Sequence, residues 1–361
     1  MEIVEVVTKK QEKKFLNFRK KIYKDNAVFV DNNLVMLKQV FSKNTCFIKD
    51  KSIKVLNVEE NGEILCQGIV LFAKDLPDYI QLCFFESQKG QAEAVKLLLD
   101  KAKEIGKLHN CKRIVIGLNG HVNYGLGFLD SHYDVKNSFS ASGNPEYYNE
   151  YFAGDEFEKI YLNSYQLDSI YDRTPKYDKV LEKLEKRFTF KNFDKNNFDY
   201  YAKIYTDLNN AAFKNHKYYY ERNYEEDKEM LKELFLFMNG DSLIFAFDGE
   251  KPVAFVMWYP NYNELAKPGE YFGAKHFIKN KLFGNKIVNS KIMEYGVLEE
   301  YRRVGIPLSL IKHCMDNMMN YKNLKGIESS WILEDNKDSN IVCQSLCDRL
   351  YKRYVVYEKE I

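Results

Sequence analysis

Runs of apolar residues along the chain change period again and again, and the changes divide it into short elements. Alternating or continuous apolar runs predict strands at Glu2–Val7, Ile53–Glu59, Glu63–Ala73, Tyr79–Glu86, Arg113–Leu118 and Phe157–Leu167. Helical spacing predicts helices over Lys9–Lys24, from Phe15, Phe18 and Ile22, and over Gln91–His109, whose stripe is Ala94, Leu97, Leu98, Ala102 and Ile105. Asn61-Gly62 is a hairpin turn signal. Pro145–Phe152 reads as a short helix capped by Asn144. A glycine-rich loop, Gly117–Gly127, asks for positive φ angles.

The second half follows a similar plan. A Lys- and Glu-rich helix over Asp178–Arg187 leads to a strand at Phe188–Phe193 and a helix at Asp199–Phe213. Ser242–Phe247 and Pro252–Tyr259 form a hairpin. Then come a strand at Lys286–Val297, a helix at Ile306–Met319, a strand at Gly326–Leu333, a helix at Ser339–Leu350 and a strand at Arg353–Glu358. Both halves read β-α-β-β-β-α-β-α-β. The expected fold is α/β with mixed sheets in two tandem domains, 1–168 and 178–361, joined by a linker at 169–177 where Asp172-Arg173-Thr174-Pro175 breaks structure.

Composition narrows the function classes. The 361 residues carry a formal net charge of +2, which gives no broad basic footprint for nucleic acid. The local run Lys9, Lys10, Lys13, Lys14, Arg19, Lys20, Lys21 and Lys24 reads as the solvated face of a helix. The seven cysteines lack CxxC spacing and the six histidines lack a His-x-x-x-His pair, so no metal site is expected. No apolar run approaches the ~18 residues of a membrane span, and the N-terminus lacks a hydrophobic signal core. A cytoplasmic protein with reduced thiols is expected.

The strongest chemical signal is the turn after Lys286–Val297. Arg302-Arg303-Val304-Gly305-Ile306-Pro307 stands between a strand and a helix, where backbone N–H groups make a site for pyrophosphate. Together with Ile327–Asn336 and Tyr351–Lys359, this order resembles the acyl-CoA-binding half of the GNAT (Gcn5-related N-acetyltransferase) superfamily. The chain as a whole resembles bacterial tandem GNAT-like proteins. Against the motif Arg/Gln-x-x-Gly-x-Gly/Ala, Arg302 and Gly305 match and Pro307 departs. The equivalent turn of the first half, Glu86–Gln91, starts acidic and lacks the arginine, so that half reads as a degenerate GNAT-like domain without a CoA site.

The resemblance implies acetyl-CoA or another acyl-CoA as co-substrate, no metal, and a small-molecule amine as acceptor. The implied CoA contacts are Val297, Leu298, Arg302, Arg303, Val304, Gly305, Ile306 and Asn336. Glu294, on the strand before the turn, is a candidate base, or else an exposed residue on that strand's polar phase. Glu334 is a second candidate base. Glu328, Trp331 and Asp335 are candidate acceptor contacts, with Trp331 equally readable as core and Asn336 as a helix cap. Many members place a general-acid tyrosine two turns into the following helix; here that zone is Ile341–Gln344 and holds none. Three functions stay open: an acyl-CoA-dependent N-acyltransferase, a GNAT-like binding protein without turnover, and an aminoacyl-tRNA-dependent transferase supported only by the Lys9–Lys24 run.

Overall fold

The computed structural model describes residues 1–43, 45–171 and 178–361. The expected Asp172–Pro175 break, and with it most of the 169–177 linker, lies outside the described residues. In chain order the elements are β1 (Glu2–Glu5), α1 (Lys9–Ile22), α2 (Leu34–Ser42), β2 (Lys51–Glu60), β3 (Glu63–Ala73), β4 (Tyr79–Ser87), α3 (Ala92–Leu108), β5 (Arg113–Ile116), β6 (Phe128–Leu129) and β7 (Glu158–Leu167). They continue with α4 (Asp178–Arg187), β8 (Phe188–Asn192), α5 (Phe198–Phe213), α6 (Tyr224–Leu234), β9 (Leu243–Asp248), β10 (Lys251–Pro260) and α7 (Ala274–Phe283). The last are β11 (Asn289–Val297), α8 (Ile306–Met319), β12 (Gly326–Ser329), β13 (Ile332–Leu333), α9 (Lys337–Leu346) and β14 (Arg349–Glu360).

The chain divides into two compact units. Unit 1 comprises Met1–Asn163, Ala266–Gly273 and Lys352–Ile361; unit 2 comprises Ser164–Leu265 and Ala274–Tyr351. In unit 1 the strand order is β1-β2-β3-β4-β5-β14. The β2–β3 hairpin turns on Asn61-Gly62, both at positive φ, as the sequence pattern requires. β4 and β5 are parallel, paired from Tyr79↔Arg113 to Leu82↔Ile116, and β14 closes antiparallel on β5 through Tyr357↔Ile116. α3 buries Ala94, Val95, Leu98, Leu99 and Ala102 against this sheet. Each fully buried Leu or Val contributes about 1.5–3 kcal/mol, so this stripe is a main source of the unit's stability.

Unit 2 runs β12-β11-β10-β9-β8, with Gln166 and Leu167 of β7 pairing Glu328 and Ile327 of β12. β10 lies at its centre, and Val253 through Tyr259 are all buried. Three helices lack a counterpart in the sequence reading: α2, α6 and α7. Other expectations shift. Glu146–Phe152 is a 3-10 helix with Pro145 at its N-cap, because Asn144 instead bonds the backbone of Leu129 in both directions. The strand expected from Lys286 starts at Asn289, the helix expected to Leu350 stops at Leu346, and β14 begins at Arg349. The strand expected over Gly326–Leu333 breaks at Ser330-Trp331. Among the described residues no helix is long and apolar enough to cross a membrane, and no group of three His, Cys, Asp or Glu is placed to hold a metal ion.

Candidate functional site

The break at Ser330-Trp331 is where unit 2 opens. β11 and β12 pair in parallel from Asn289↔Gly326 to Ile292↔Ser329, and Ser330 N–H gives the last bond to Ile292 O at 2.8 Å. β11 continues to Val297, paired with β10 alone along its other edge. The two strands therefore part beyond Ile292. At the same point β11 carries a bulge: Trp258 faces Ile292 and Met257 faces Glu294, so Met293 is the extra residue. A bulge re-aims the side chains that follow it.

Glu294 is the first residue past that bulge. It is half-buried, not the solvent-exposed strand glutamate that its polar phase allows. Tyr205 of α5 donates its hydroxyl to Oε1, and Asn209 Nδ2 donates to Oε2 at 3.0 Å. Asn209 is held in turn by Tyr219, whose hydroxyl lies 2.9 Å from Asn209 Oδ1. Behind them Arg222 and Asp227 form a fully buried ion pair. Burial pushes the Glu294 carboxyl above its ordinary value, against the opposing pull of the Tyr205 hydroxyl, Arg222 and Asn209. Burial, and then the adjacent Glu294 charge, holds Tyr205 well above the usual tyrosine value, so it stays a neutral donor. A carboxyl held by neutral donors and biased toward its protonated form has the character of a general base or acid.

Gly296 explains how α5 comes close enough. A Cβ there would stand 2.4 Å from the Phe255 ring and 3.0 Å from Ala212 Cβ. The missing side chain lets α5 lie on β11, and Arg302 then reaches across to donate to Ala212 O at 2.9 Å. The Arg302 guanidinium thus caps the C-terminal end of α5.

The turn itself keeps part of an anion cradle. Gly305, at φ +89°, is the residue before α8. Val304 N–H bonds Tyr301 O, Leu308 N–H bonds Gly305 O, and Pro307 has no N–H. Among the described residues the N–H groups of Arg303 and Gly305 have no backbone acceptor, and the exposed Arg303 side chain makes no ion pair. These groups fit a pyrophosphate. Val297 and Leu298 lead into this turn, and Ile306 is buried as the first residue of α8.

The remaining candidates separate into two groups. Trp331, at the strand break, is half-buried and stands 5.7 Å from the ring of His216. Burial lowers the His216 pKa, and its Nδ1 lies 2.8 Å from Lys217 O. Asp335 is exposed and acts electrostatically on His216; Glu334 is exposed beside it. Asn336 caps α9, accepting from Ser339 N–H at 3.2 Å. Asn340 pins the loop, donating to Leu333 O and Asn336 O at 2.8 Å each and accepting from Tyr165 at 2.8 Å. Glu328 lies elsewhere, buried within the paired part of β12 opposite Lys291. The sequence reading missed Tyr205, Asn209, Tyr219 and the Arg222–Asp227 pair. One signal was available: Asn223 followed by Glu225, Glu226 and Asp227 marks a capped helix start, and Asn223 does accept from Glu226 N–H at 2.9 Å.

No family model matches the chain. It is 27% identical over 197 residues to Protein YghO of Escherichia coli K12, a match covering 52% of the chain and 50% of that protein. The match thus spans about half the length of this curated relative. Among solved structures it is similar to a tandem GNAT protein from the clavulanic acid biosynthesis pathway, with a TM-score of 0.57 at 10% identity over 99% of the chain and 98% of that one. It is also similar to a GCN5-related glucosamine N-acetyltransferase region of a fungal multi-domain GH3 β-N-acetylglucosaminidase, with a TM-score of 0.55 at 14% identity over 99% of this chain and 38% of that one. A third likeness is to a probable N-acyltransferase of Enterococcus faecalis V583, with a TM-score of 0.50 at 10% identity, covering 100% of this chain and 72% of that one. Near-complete coverage of both chains settles the architecture: the chain has the fold of the tandem GNAT proteins.

Proposed function

We propose that the protein is an acyl-CoA-dependent N-acyltransferase that acts from unit 2 on a small amine. The observation that carries this reading is the parting of β11 and β12 beside a half-buried, hydrogen-bonded Glu294. Glu294 takes the proton of the attacking ammonium or amine, directly or through water. The unpaired edge of β11 offers backbone N–H groups to the thioester carbonyl, an electrostatic role that needs no ionisable side chain. The amine forms its bond to the acyl carbon as the carbon–sulfur bond breaks, and the departing thiolate takes a proton from water. Arg303 and the N–H groups of Arg303 and Gly305 hold the pyrophosphate, with Val297, Leu298, Val304 and Ile306 shaping the approach. Trp331, with His216 and Asp335 beside it, forms the acceptor side, and Glu334 stands as a second carboxylate at that rim.

A competing reading, a binding protein without turnover, draws on Arg302 being committed to Ala212 O and on the proline at position 307. Thermal melting with acetyl-CoA and free CoA, followed by an amine screen for thiol release, separates the two. A ligand at ~100 times its dissociation constant adds roughly 2.7 kcal/mol, a shift of several degrees. A shift with thiol release supports the enzyme, a shift without release from any amine argues against turnover, and no shift with any CoA ester favours the binding protein.

A further inference from the structure

Residues 271–293 hold five lysines and no aspartate or glutamate, in a chain whose charges otherwise nearly balance. α7 and the turn into β11 lie inside this run, in unit 2, and none of the residues assigned to acyl transfer belongs to them. The inner face of α7 is pinned. His276 is fully buried, and the Phe277 ring stands 6.0 Å from that of Phe237. Lys279 donates to Leu265 O at 3.1 Å and Asn280 to Phe237 O at 3.3 Å. With its rotation fixed, the helix turns its other side out. Ile278 is 60% exposed and Leu282, one turn on, 65%; Phe283 and Val288 follow at 44% and 40%. Scattered exposed apolar side chains need no partner, but four within eleven positions form a patch that does.

Lysines frame the patch. Lys275, Lys281 and Lys286 are exposed on this segment, and Lys322 and Lys325 on the turn after α8. That turn is bonded to the segment: Asn323 Nδ2 donates to Asn285 O, and Lys325 N–H to Val288 O at 2.8 Å. Lys281, Lys286, Lys322 and Lys325 make no ion pair among the described residues. The Lys281 and Lys286 ammonium groups instead lie over the Phe277 and Phe283 rings, at 4.4 and 5.0 Å. Glu264 brings a carboxylate to the segment, where it accepts from Val288 N–H and Asn289 N–H at 2.8 and 3.1 Å. The unpaired lysines outweigh it, so the surface stays basic.

Outward apolar side chains among uncompensated lysines select the partner. Nucleic acid would use the lysines and leave Ile278 and Leu282 in water. A second copy would bury the apolar residues but set like charges against each other. A bilayer interface with acidic head groups takes both. The apolar side chains enter the acyl boundary, and the lysine stems lie along it with their ammonium groups at the phosphates. We propose that α7 and the adjoining 284–288 turn seat unit 2 on an anionic membrane surface, with Ile278, Leu282 and Phe283 inserted and Lys281, Lys286, Lys322 and Lys325 at the lipid phosphates. The proposal does not rest on the acyl-transfer reading.

The test is co-sedimentation of the full chain, without any CoA ester, with vesicles of phosphatidylcholine alone or mixed with phosphatidylglycerol. Binding to the mixed vesicles only is expected, weakening as salt rises. Lys281→Glu with Lys286→Glu should bind about tenfold more weakly or worse, since each lysine near an acidic surface is worth roughly fivefold. Ile278→Ser with Leu282→Ser should lose a comparable amount. All four side chains are exposed, so both double variants should melt as the wild type does. Lys10→Glu with Lys13→Glu, exposed on α1 in unit 1, makes the same charge change and should bind unchanged. No sedimentation with the mixed vesicles, equal sedimentation with phosphatidylcholine alone, or full binding in either unit 2 variant overturns the proposal. So does equal loss in the α1 variant, which would make the attraction a matter of net charge. Sedimentation equilibrium without lipid supplies the last outcome: a dimer that Ile278→Ser with Leu282→Ser dissolves assigns this face to a second copy and also overturns the proposal.

Discussion

In unit 1 the turn after β4 is stoppered by the protein itself. Ser87 N–H donates to the Tyr148 hydroxyl at 2.9 Å, Gln91 N–H donates to the Tyr151 hydroxyl at 3.1 Å, and Tyr151 returns a bond to Gln88 O. Where the strands part, Asn119 Oδ1 accepts the Phe84 N–H at 2.8 Å. Donors that an anion or a carbonyl would need are thus spent on tyrosine and asparagine side chains. Among the described residues, the turn after β11 in unit 2 leaves the N–H groups of Arg303 and Gly305 without a backbone acceptor and the Arg303 side chain without an ion pair. The carboxylates differ in the same sense. Glu86 is paired with an arginine, whereas both hydrogen bonds to Glu294 come from uncharged groups. The two units thus differ in a few side chains, which decide whether the N–H groups and the carboxylate beside the parted strands already have protein partners. This contrast supports reading unit 2 as the acyl-transfer unit.

The sharpest way to break the contrast is Glu294→Gln. Loss of the base should lower the rate of thiol release by roughly 100- to 10,000-fold. The acetyl-CoA melting shift should survive, because Glu294 is not part of the turn. Equal loss of both would make Glu294 a structural residue. The wild-type rate should rise with pH along a limb that lies above the ordinary glutamate value, since burial raises the Glu294 pKa. The same shift has a stability consequence. A carboxyl with a raised folded pKa helps stability below its unfolded pKa, and that help is lost as pH rises through the folded pKa. Glu294→Gln should therefore melt higher than wild type at neutral pH, with the gain disappearing as pH falls below the ordinary carboxyl range.

Next in size are the two buried arginines. Arg222→Met leaves Asp227 fully buried without its cation, and Arg19→Met leaves Asp31 and Glu86 buried without theirs. Each should cost about 3–5 kcal/mol, read from denaturant unfolding. The comparison sharpens in the double variant Arg222→Met with Asp227→Leu. Removing both charges should recover most of the loss, because an apolar pair of similar volume replaces a desolvated ion pair. If it does not, the pair is a specific part of the Glu294 support.

What the sequence made legible follows from range. The start of α8 could be read locally, since Gly305 and Pro307 flank a strand and an apolar helix. The β2–β3 turn could be read from Asn61-Gly62. Glu294 was visible as a carboxylate on a strand, but its partners Tyr205 and Asn209 stand 89 and 85 positions away, inside a helix that reads only as an apolar stripe. α7 hid for another reason: Ile278, Leu282 and Phe283 are exposed, so it lacks the one-sided burial that periodicity detects. The split of Gly326–Leu333 had no local mark either. Ser330 and Trp331 suit a strand, and the bonds beside the break come from far along the chain: Ser164 Oγ donates to Ser329 O and Tyr165 N–H to Ser329 Oγ.

The smallest effects separate the two arginines of the turn. Arg302→Ala removes the guanidinium from Ala212 O and should cost about 0.5–1 kcal/mol of stability, as loss of a cation at a helix C-terminus does. CoA affinity should barely change, because that charge is already committed to the protein. Arg303→Ala should do the reverse. Among the described residues its exposed side chain makes no ion pair, so melting of the free protein should stay within experimental error, and CoA binding should weaken about two- to fivefold at low salt, the worth of one exposed charge contact. That loss should shrink as ionic strength rises and the Debye length shortens. If Arg302→Ala instead weakens CoA more than Arg303→Ala does, the guanidinium must leave Ala212 O when ligand binds. The motif arginine would then act by trading a helix cap for a phosphate, and loosening of the α5 C-terminus, followed by amide exchange, should accompany binding.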